Sequence, residues 1–210
     1  MPPDDLVWRQ IIVSGSALVY WGGVLVQARR IRKRIGRSAN LKPRGFREKA
    51  LWFGWMLVIV GWVTQPLVAG REFIAPWLPG AALLGHMPGL LAGAALNAVG
   101  YAGTLWCYAA MGSAWRIGVN RREKNALVVT GPYRWVRHPI YGLQMVMLAG
   151  AVLLLPTVLA LGILVLHYLC ARIKALDEES YLLEVHGAAY RDYRRHTGRF
   201  FPRSRGFPPD

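Results

Sequence analysis

Two short stretches hold the side chains best suited to chemistry. The first is Tyr133–Gly142, YRWVRHPIYG, with two arginines, a histidine, a proline and two tyrosines in ten residues. The second lies within Arg172–Pro202 and carries three consecutive acids, Asp177, Glu178 and Glu179. His138 precedes a proline and is biased toward extended backbone. Pro139 suits the first turn of a helix. A helix beginning there turns its free N–H groups and positive dipole end toward Arg137 and His138, a setting that favours a carboxylate or phosphate. With those cations on one wall and Glu178 and Glu179 on the other, the pair of stretches suits a zwitterion, an ammonium beside a carboxylate. Each stretch also has a plainer reading. Arg134 and Arg137 can hold lipid headgroups, with Trp135 and Tyr141 as an aromatic belt. The acids can simply neutralise basic loops as weak exposed ion pairs.

The elements that must position these residues are apolar. The chain of 210 residues is 54% hydrophobic and 18% charged, yet its formal charge is +15. Charge is therefore crowded into a few segments, which points to an integral membrane protein with basic loops. A basic chain can also bind nucleic acid, but the cations here flank apolar runs of about 20 residues that such a protein does not need. Four apolar regions stand out: Ile11–Ala28, Leu51–Ala69, about Leu90–Met111, and Ile140–Ala171. The last is 32 residues long with Pro156 at its centre. That is too long for one ordinary span, and we read it as a tight helical hairpin turning near Pro156. The expectation is an all-α, polytopic membrane protein of about five transmembrane helices. Residues 1–89 form N-terminal helices and loops, and residues 90–210 form the core that carries the site.

Charge tests this topology. Ten Lys and Arg fall in Arg29–Lys49, six in Gly112–Pro139 and eight from Arg172 to the end, leaving only Arg9 and Arg71 elsewhere. With five spans the three basic segments share one side. The positive-inside rule then puts the N-terminus outside and the C-terminus in the cytoplasm, in the inner membrane if the cell is bacterial. A single span over Ile140–Ala171 would separate the basic tail from the other two segments. Phe73–Gly89, broken by prolines and glycines, reads as an outer-face loop or a partly embedded segment. The start MPPDDLVWRQ lacks the basic n-region of a signal peptide, so the first apolar segment is expected to be retained. Cys107 and Cys170 sit in apolar surroundings without CxxC spacing and read as packing residues; neither a disulfide nor a metal site is inferred. Asn97 and Gln144 suit interhelical hydrogen bonds, and His167 is either a functional group or one paired inside the bundle.

MGSAWRIGV, then LVVTGPYRWVRHPIYG, then EESYLLEVHGAAYRDYRRHTGRFFP, in that order around a hairpin, resemble the isoprenylcysteine carboxyl methyltransferase family and its phospholipid N-methyltransferase relatives. The resemblance covers roughly Met111–Pro202. It implies S-adenosylmethionine as cofactor, bound between the hairpin's cytoplasmic end and the C-terminal segment. Arg137, His138, Pro139 and Tyr141 match the first half of the cofactor motif, and Glu178 and Glu179 the second. Tyr133, Trp135, Tyr141 and Tyr181 are candidate walls for adenine. Trp115 and Arg116 match the family's Gly-x-x-Trp-Arg element and are candidates to line the acceptor site. Arg195 and Arg199 are candidates to orient an anionic acceptor or a phosphate headgroup, or equally to anchor on lipid. A C-terminal helix interrupted near Gly187 should cover the cofactor, with structural roles for His186, Tyr190, Tyr193 and His196. The family usually has glycine two residues after the motif tyrosine; here Leu143 stands there and Gly142 one place earlier.

The expected partners are the bilayer and a lipophilic acceptor; neither nucleic acid nor an obligate protein partner is expected. The sequence singles out no catalytic residue, because the need for a base depends on the acceptor: a carboxylate needs only positioning, whereas an amine must lose a proton. Phospholipid N-methylation, a sterol-type membrane reductase and a non-enzymatic lipid-binding protein stay open as alternatives.

Overall fold

The computed structural model describes residues 3–36, 45–115, 127–203 and 206–208. Six α-helices order the described chain: α1 Pro3–Ile35, α2 Phe46–Val68, α3 Ala81–Leu84, α4 Met87–Met111, α5 Pro139–Leu154 and α6 Val158–His196. Four of them, α1, α2, α4 and α6, are long and apolar enough to cross a membrane, and α5 is a shorter apolar helix. The chain is an all-helical, polytopic integral membrane protein. The long fourth apolar region does fold as a hairpin, but unevenly. α5 has 16 residues, a length of about 24 Å against a hydrocarbon core of about 30 Å. α6 has 39 residues and runs on well past the apolar stretch.

The turn of the hairpin has clear local causes. Pro156 cannot continue a helix, and the Thr157 hydroxyl caps α6 by accepting from the Ala160 N–H at 3.1 Å. Phe73–Gly89 packs on this turn. Trp77 and Thr157 form an antiparallel bridge, the Leu78 N–H donates to the Pro156 carbonyl at 2.8 Å, and the Val158 N–H donates to the Pro76 carbonyl at 2.9 Å. The isolated cation of α1, Arg9, is fully buried at the same end. It donates to the carbonyls of Leu153 and Leu154 at the end of α5, and to that of His86 before α4. A cation on the open carbonyls of a helix C-terminus is favourable, so Arg9 ties three elements together.

The seam between α4 and α5 explains a helix with so many small residues. The buried positions of α4 are Gly89, Gly93, Asn97, Gly100, Thr104 and Cys107, spaced by three or four residues on one face, and Tyr108 beside the last. A Cβ on Gly93 would lie 2.8 Å from the Gly150 carbonyl oxygen, and one on Gly150 would lie 2.7 Å from that of Gly93. Small residues let two membrane helices approach at backbone distance, where dispersion rather than water exclusion holds them. The core continues through Val13, Ala17 and Tyr20 of α1, Val58 and Trp62 of α2, and Met147, Leu148 and Ala151 of α5.

At the other end, the borders of the basic segments converge. Ile31 of α1 clusters with Tyr108 of α4, with Trp115, and with Ile140 of α5. Arg47 of α2 pairs with Asp177 of α6 at 2.9 Å. The two polar stretches therefore face each other at one boundary.

Candidate functional site

Three pieces of chain build the site: the turn before α5, the middle of α6, and the segment that follows α6. Gly131–Arg134 forms a single 3-10 turn, then the chain extends through His138 and enters α5 at Pro139. α6 breaks at Gly187, whose φ of 52° no side-chain-bearing residue readily adopts. Its last stretch folds back against the turn. The Tyr193 hydroxyl donates to the Tyr133 carbonyl at 2.6 Å, and Tyr190 and Tyr193 are buried. From Thr197 the chain runs as a strap beside residues 135–138. The Arg137 and His138 N–H groups donate to the carbonyls of Gly198 and Arg199, both at 2.9 Å, and the Gly198 N–H donates to the Trp135 carbonyl at 3.1 Å.

This strap explains the displaced glycine. A Cβ on Gly142 would collide with the Phe200 carbonyl oxygen. Leu143 points instead at α4, against Gly103. The glycine stands where the strap passes, and position 143 is free to carry a packing side chain.

The side chains of both motif halves meet. Arg137 donates from Nε to Glu179 Oε1 at 3.0 Å and from Nη1 to the carbonyls of Arg194 and Thr197. Arg199 donates from Nε to Glu179 Oε1 at 2.9 Å and from Nη2 to Oε2 at 3.0 Å. His138 places Nδ1 3.3 Å from Glu178 Oε2 and Nε2 3.4 Å from Glu179 Oε1. The second contact lacks hydrogen-bond alignment, leaving Nε2 buried without a proper partner. The Tyr141 hydroxyl donates to Glu178 Oε1 at 3.1 Å, and its ring stacks on His138 at 5.8 Å between centroids. Trp55 of α2 and His167 of α6 back Tyr141. Trp55 lies 5.8 Å from the Tyr141 ring, and His167 Nε2 is 3.3 Å from the Tyr141 carbonyl, a distance that fits donation from Nε2–H.

The two carboxylates thus differ. Glu179 has its side chain 5% exposed and receives two guanidinium groups and the His138 edge. Glu178 has its side chain 21% exposed and, among the described residues, accepts from Tyr141 and His138 alone. A carboxylate has about four lone-pair sites, so Glu178 keeps acceptor capacity that Glu179 has used. Burial works against charge on His138, but Glu178 and Glu179 beside it outweigh burial and raise its pKa above the ordinary value. Arg137 and Arg199 balance the two carboxylates, and charge on His138 adds one positive charge to the cluster.

The sequence expectation has a cation wall and a carboxylate wall meeting in a site that fits a zwitterion. The structure brings them into contact, and it turns Arg199 onto Glu179. Pro139 takes the first helical position of α5. Tyr133 is buried beneath Tyr193. Trp115 is buried and meets Tyr108 edge-on at 5.5 Å, beside Ile140. Arg195 lines a cavity shared with Arg137 and Arg199. Arg116 lies outside the described residues. Thr197, Phe200, Trp55 and the latch from Arg199 to Glu179 were not singled out in sequence. Only HTGRFFP hinted at the strap, and nothing local marks Trp55. Asn97 and Gln144 are buried as expected, although Asn97 Nδ2 bonds the Gly93 carbonyl of its own helix at 2.9 Å rather than a neighbour.

One family model matches the part of the chain that holds this site. Residues 93–184 match the model of the isoprenylcysteine carboxyl methyltransferase (ICMT) family, a stretch that includes both motif halves. The chain is 28% identical over 147 residues to the nickel-cobalt-cadmium resistance protein NccN of Alcaligenes xylosoxydans xylosoxydans, covering 70% of this chain and 62% of that protein. It is 27% identical over 101 residues to the cobalt-zinc-cadmium resistance protein CzcN of Cupriavidus metallidurans, covering 48% of this chain and 43% of that one. The chain therefore spans less than two thirds of the length of either relative. No solved structure matches.

Proposed function

Because residues 93–184 match the model of the isoprenylcysteine carboxyl methyltransferase family, we propose that this membrane protein is an S-adenosylmethionine-dependent methyltransferase acting on a lipophilic acceptor. One observation carries the reading: Arg137, His138, Tyr141, Glu178 and Glu179 come from segments about forty residues apart and meet in one cluster. The cofactor supplies a methyl group on a sulfonium, which a nucleophile on the acceptor takes. Its methionine end is a zwitterion, and the site fits both charges. The excess positive charge, the unpartnered His138 Nε2 and the first-turn N–H groups of α5 suit its carboxylate. Glu178, with acceptor capacity left, suits its ammonium.

Glu179 then acts by position rather than by contact. It fixes Arg137 and Arg199, and through Arg199 it holds the strap against α5. Tyr141 sets the orientation of Glu178 and stacks on His138. Tyr133, Tyr141 and Trp135 supply aromatic surface for the adenine. The strap and the folded-back end of α6 keep water from the reacting centre, which favours a step that disperses the sulfonium charge. A lipophilic acceptor enters from the bilayer, past the lipid-facing sides of α5 and α6, while the soluble cofactor enters from the basic side. The proposed orientation puts that side in the cytoplasm.

Transfer of labelled methyl from S-adenosylmethionine tests the reading. The purified full chain is given a total lipid extract and, separately, small prenylated thiols and carboxylates. Label in an extractable lipid or prenyl product supports the proposal, and the labelled atom separates carboxyl from nitrogen methylation. Absence of transfer to every class, with the protein folded, contradicts it.

A further inference from the structure

A cavity of about 500 Å³ is lined, among the described residues, by Glu179 and six arginines. Arg137 and Arg199 reach it from the site already described. Arg191, Arg194, Arg195 and Arg203 complete it. Glu179 is the only acid in the lining, and Arg137 and Arg199 already neutralise it. Among the described residues, Arg191, Arg194, Arg195 and Arg203 have no carboxylate within ion-pair distance, and Arg203 donates only to the Arg195 carbonyl, at 3.3 Å. The folded-back end of α6 brings these like charges together, at a cost unless an anion sits among them. Tyr190 adds an independent sign. It is fully buried, its hydroxyl has no hydrogen-bond partner, and it lies within electrostatic reach of Glu179, Arg137, Arg194 and Arg199.

We propose that this arginine-lined cavity binds a phosphate group. The guanidinium fork presents paired N–H donors that match phosphate oxygens bidentately and stays charged at any physiological pH. The volume far exceeds that of a chloride ion and suits a phosphate with its ester substituent. Two sources share this chemistry, the headgroup of an anionic phospholipid and a soluble phosphate. The strap that walls the cavity also reaches lipid: Phe201 is exposed and Phe200 meets Tyr168 of the spanning part of α6. The proposal concerns binding alone and stands or falls separately from methyl transfer.

The test titrates the purified full chain at constant ionic strength, without S-adenosylmethionine, and reads binding by calorimetry. One arm uses inorganic phosphate in detergent. The other uses protein in phosphatidylcholine nanodiscs with or without phosphatidic acid, read as a shift in Tm. The variants are Arg191→Gln, the double change Arg191→Gln with Arg194→Gln, and a control of equal charge, Arg29→Gln with Arg30→Gln, on the exposed face of α1. The result expected is saturable phosphate binding, weakened about tenfold by the double change and less by the single one, with the control unaffected. Saturable binding of inorganic phosphate identifies a soluble ligand. A response to phosphatidic acid only, lost in the double variant, identifies a headgroup. No saturable response in either arm overturns the proposal. So does an equal loss in the α1 control, which would reduce the effect to net charge.

Discussion

Glu178 and Glu179 are adjacent in sequence and opposite in employment. The sequence makes both visible as carboxylates facing Arg137 and His138, but it does not separate them. What separates them is Arg199, twenty residues on, which reaches Glu179 only because the chain reverses at Gly187 and returns as the strap. Replacing Glu179 by Gln leaves two guanidinium groups without their counter-charge, and breaking a buried pair costs about 3 kcal/mol. The expected outcome is a clear fall in Tm measured by intrinsic fluorescence, with the strap loosened. His138 gives a pH prediction. Its pKa is raised in the folded protein, so its stabilising contribution is complete below the ordinary histidine value of about 6.5 and is lost as pH rises through the folded value. Tm should therefore decline as pH is raised above neutrality. In His138→Gln that part of the decline should vanish.

At the scale of elements, the hairpin, its turn at Pro156, the start of α5 at Pro139 and the break at Gly187 were all legible, because proline and glycine act locally. The strap was not, because its partners are backbone groups of residues 135–138 that no side-chain pattern announces. The uneven hairpin was hidden for a similar reason. α6 stays helical well past the apolar stretch, and no proline or glycine marks where the apolar part ends. Gly142 and Leu143 test this picture. Gly142→Ala forces the Phe200 carbonyl away, an overpacking cost of about 1–3 kcal/mol. It should weaken cofactor binding and make the C-terminal segment easier to cleave in limited proteolysis. Leu143→Ala removes packing against α4 instead. It should lower Tm by an amount corresponding to about 2 kcal/mol while cofactor affinity holds.

Across the whole molecule, the crowding of cations at one end and the burial of Arg9 at the other follow one logic. The described borders of the basic segments lie where α1, α2, α4, α5 and α6 bring the site together. The one deep cation of the opposite end closes helix carbonyls instead of facing lipid. If the basic end is cytoplasmic, Phe73→Cys on the far loop should react with an impermeant thiol reagent added to intact cells, and Arg191→Cys only in inverted vesicles. Cys107 and Cys170 are buried and give little background. The central claim is that this end holds S-adenosylmethionine with Glu178 as the direct acceptor. Equilibrium binding of S-adenosylmethionine to the purified full chain in detergent tests it most directly. Saturable binding, weakened at least about tenfold by Glu178→Gln while Tm stays near that of the parent protein, is the result predicted. No saturable binding, or undiminished affinity in Glu178→Gln, would contradict it.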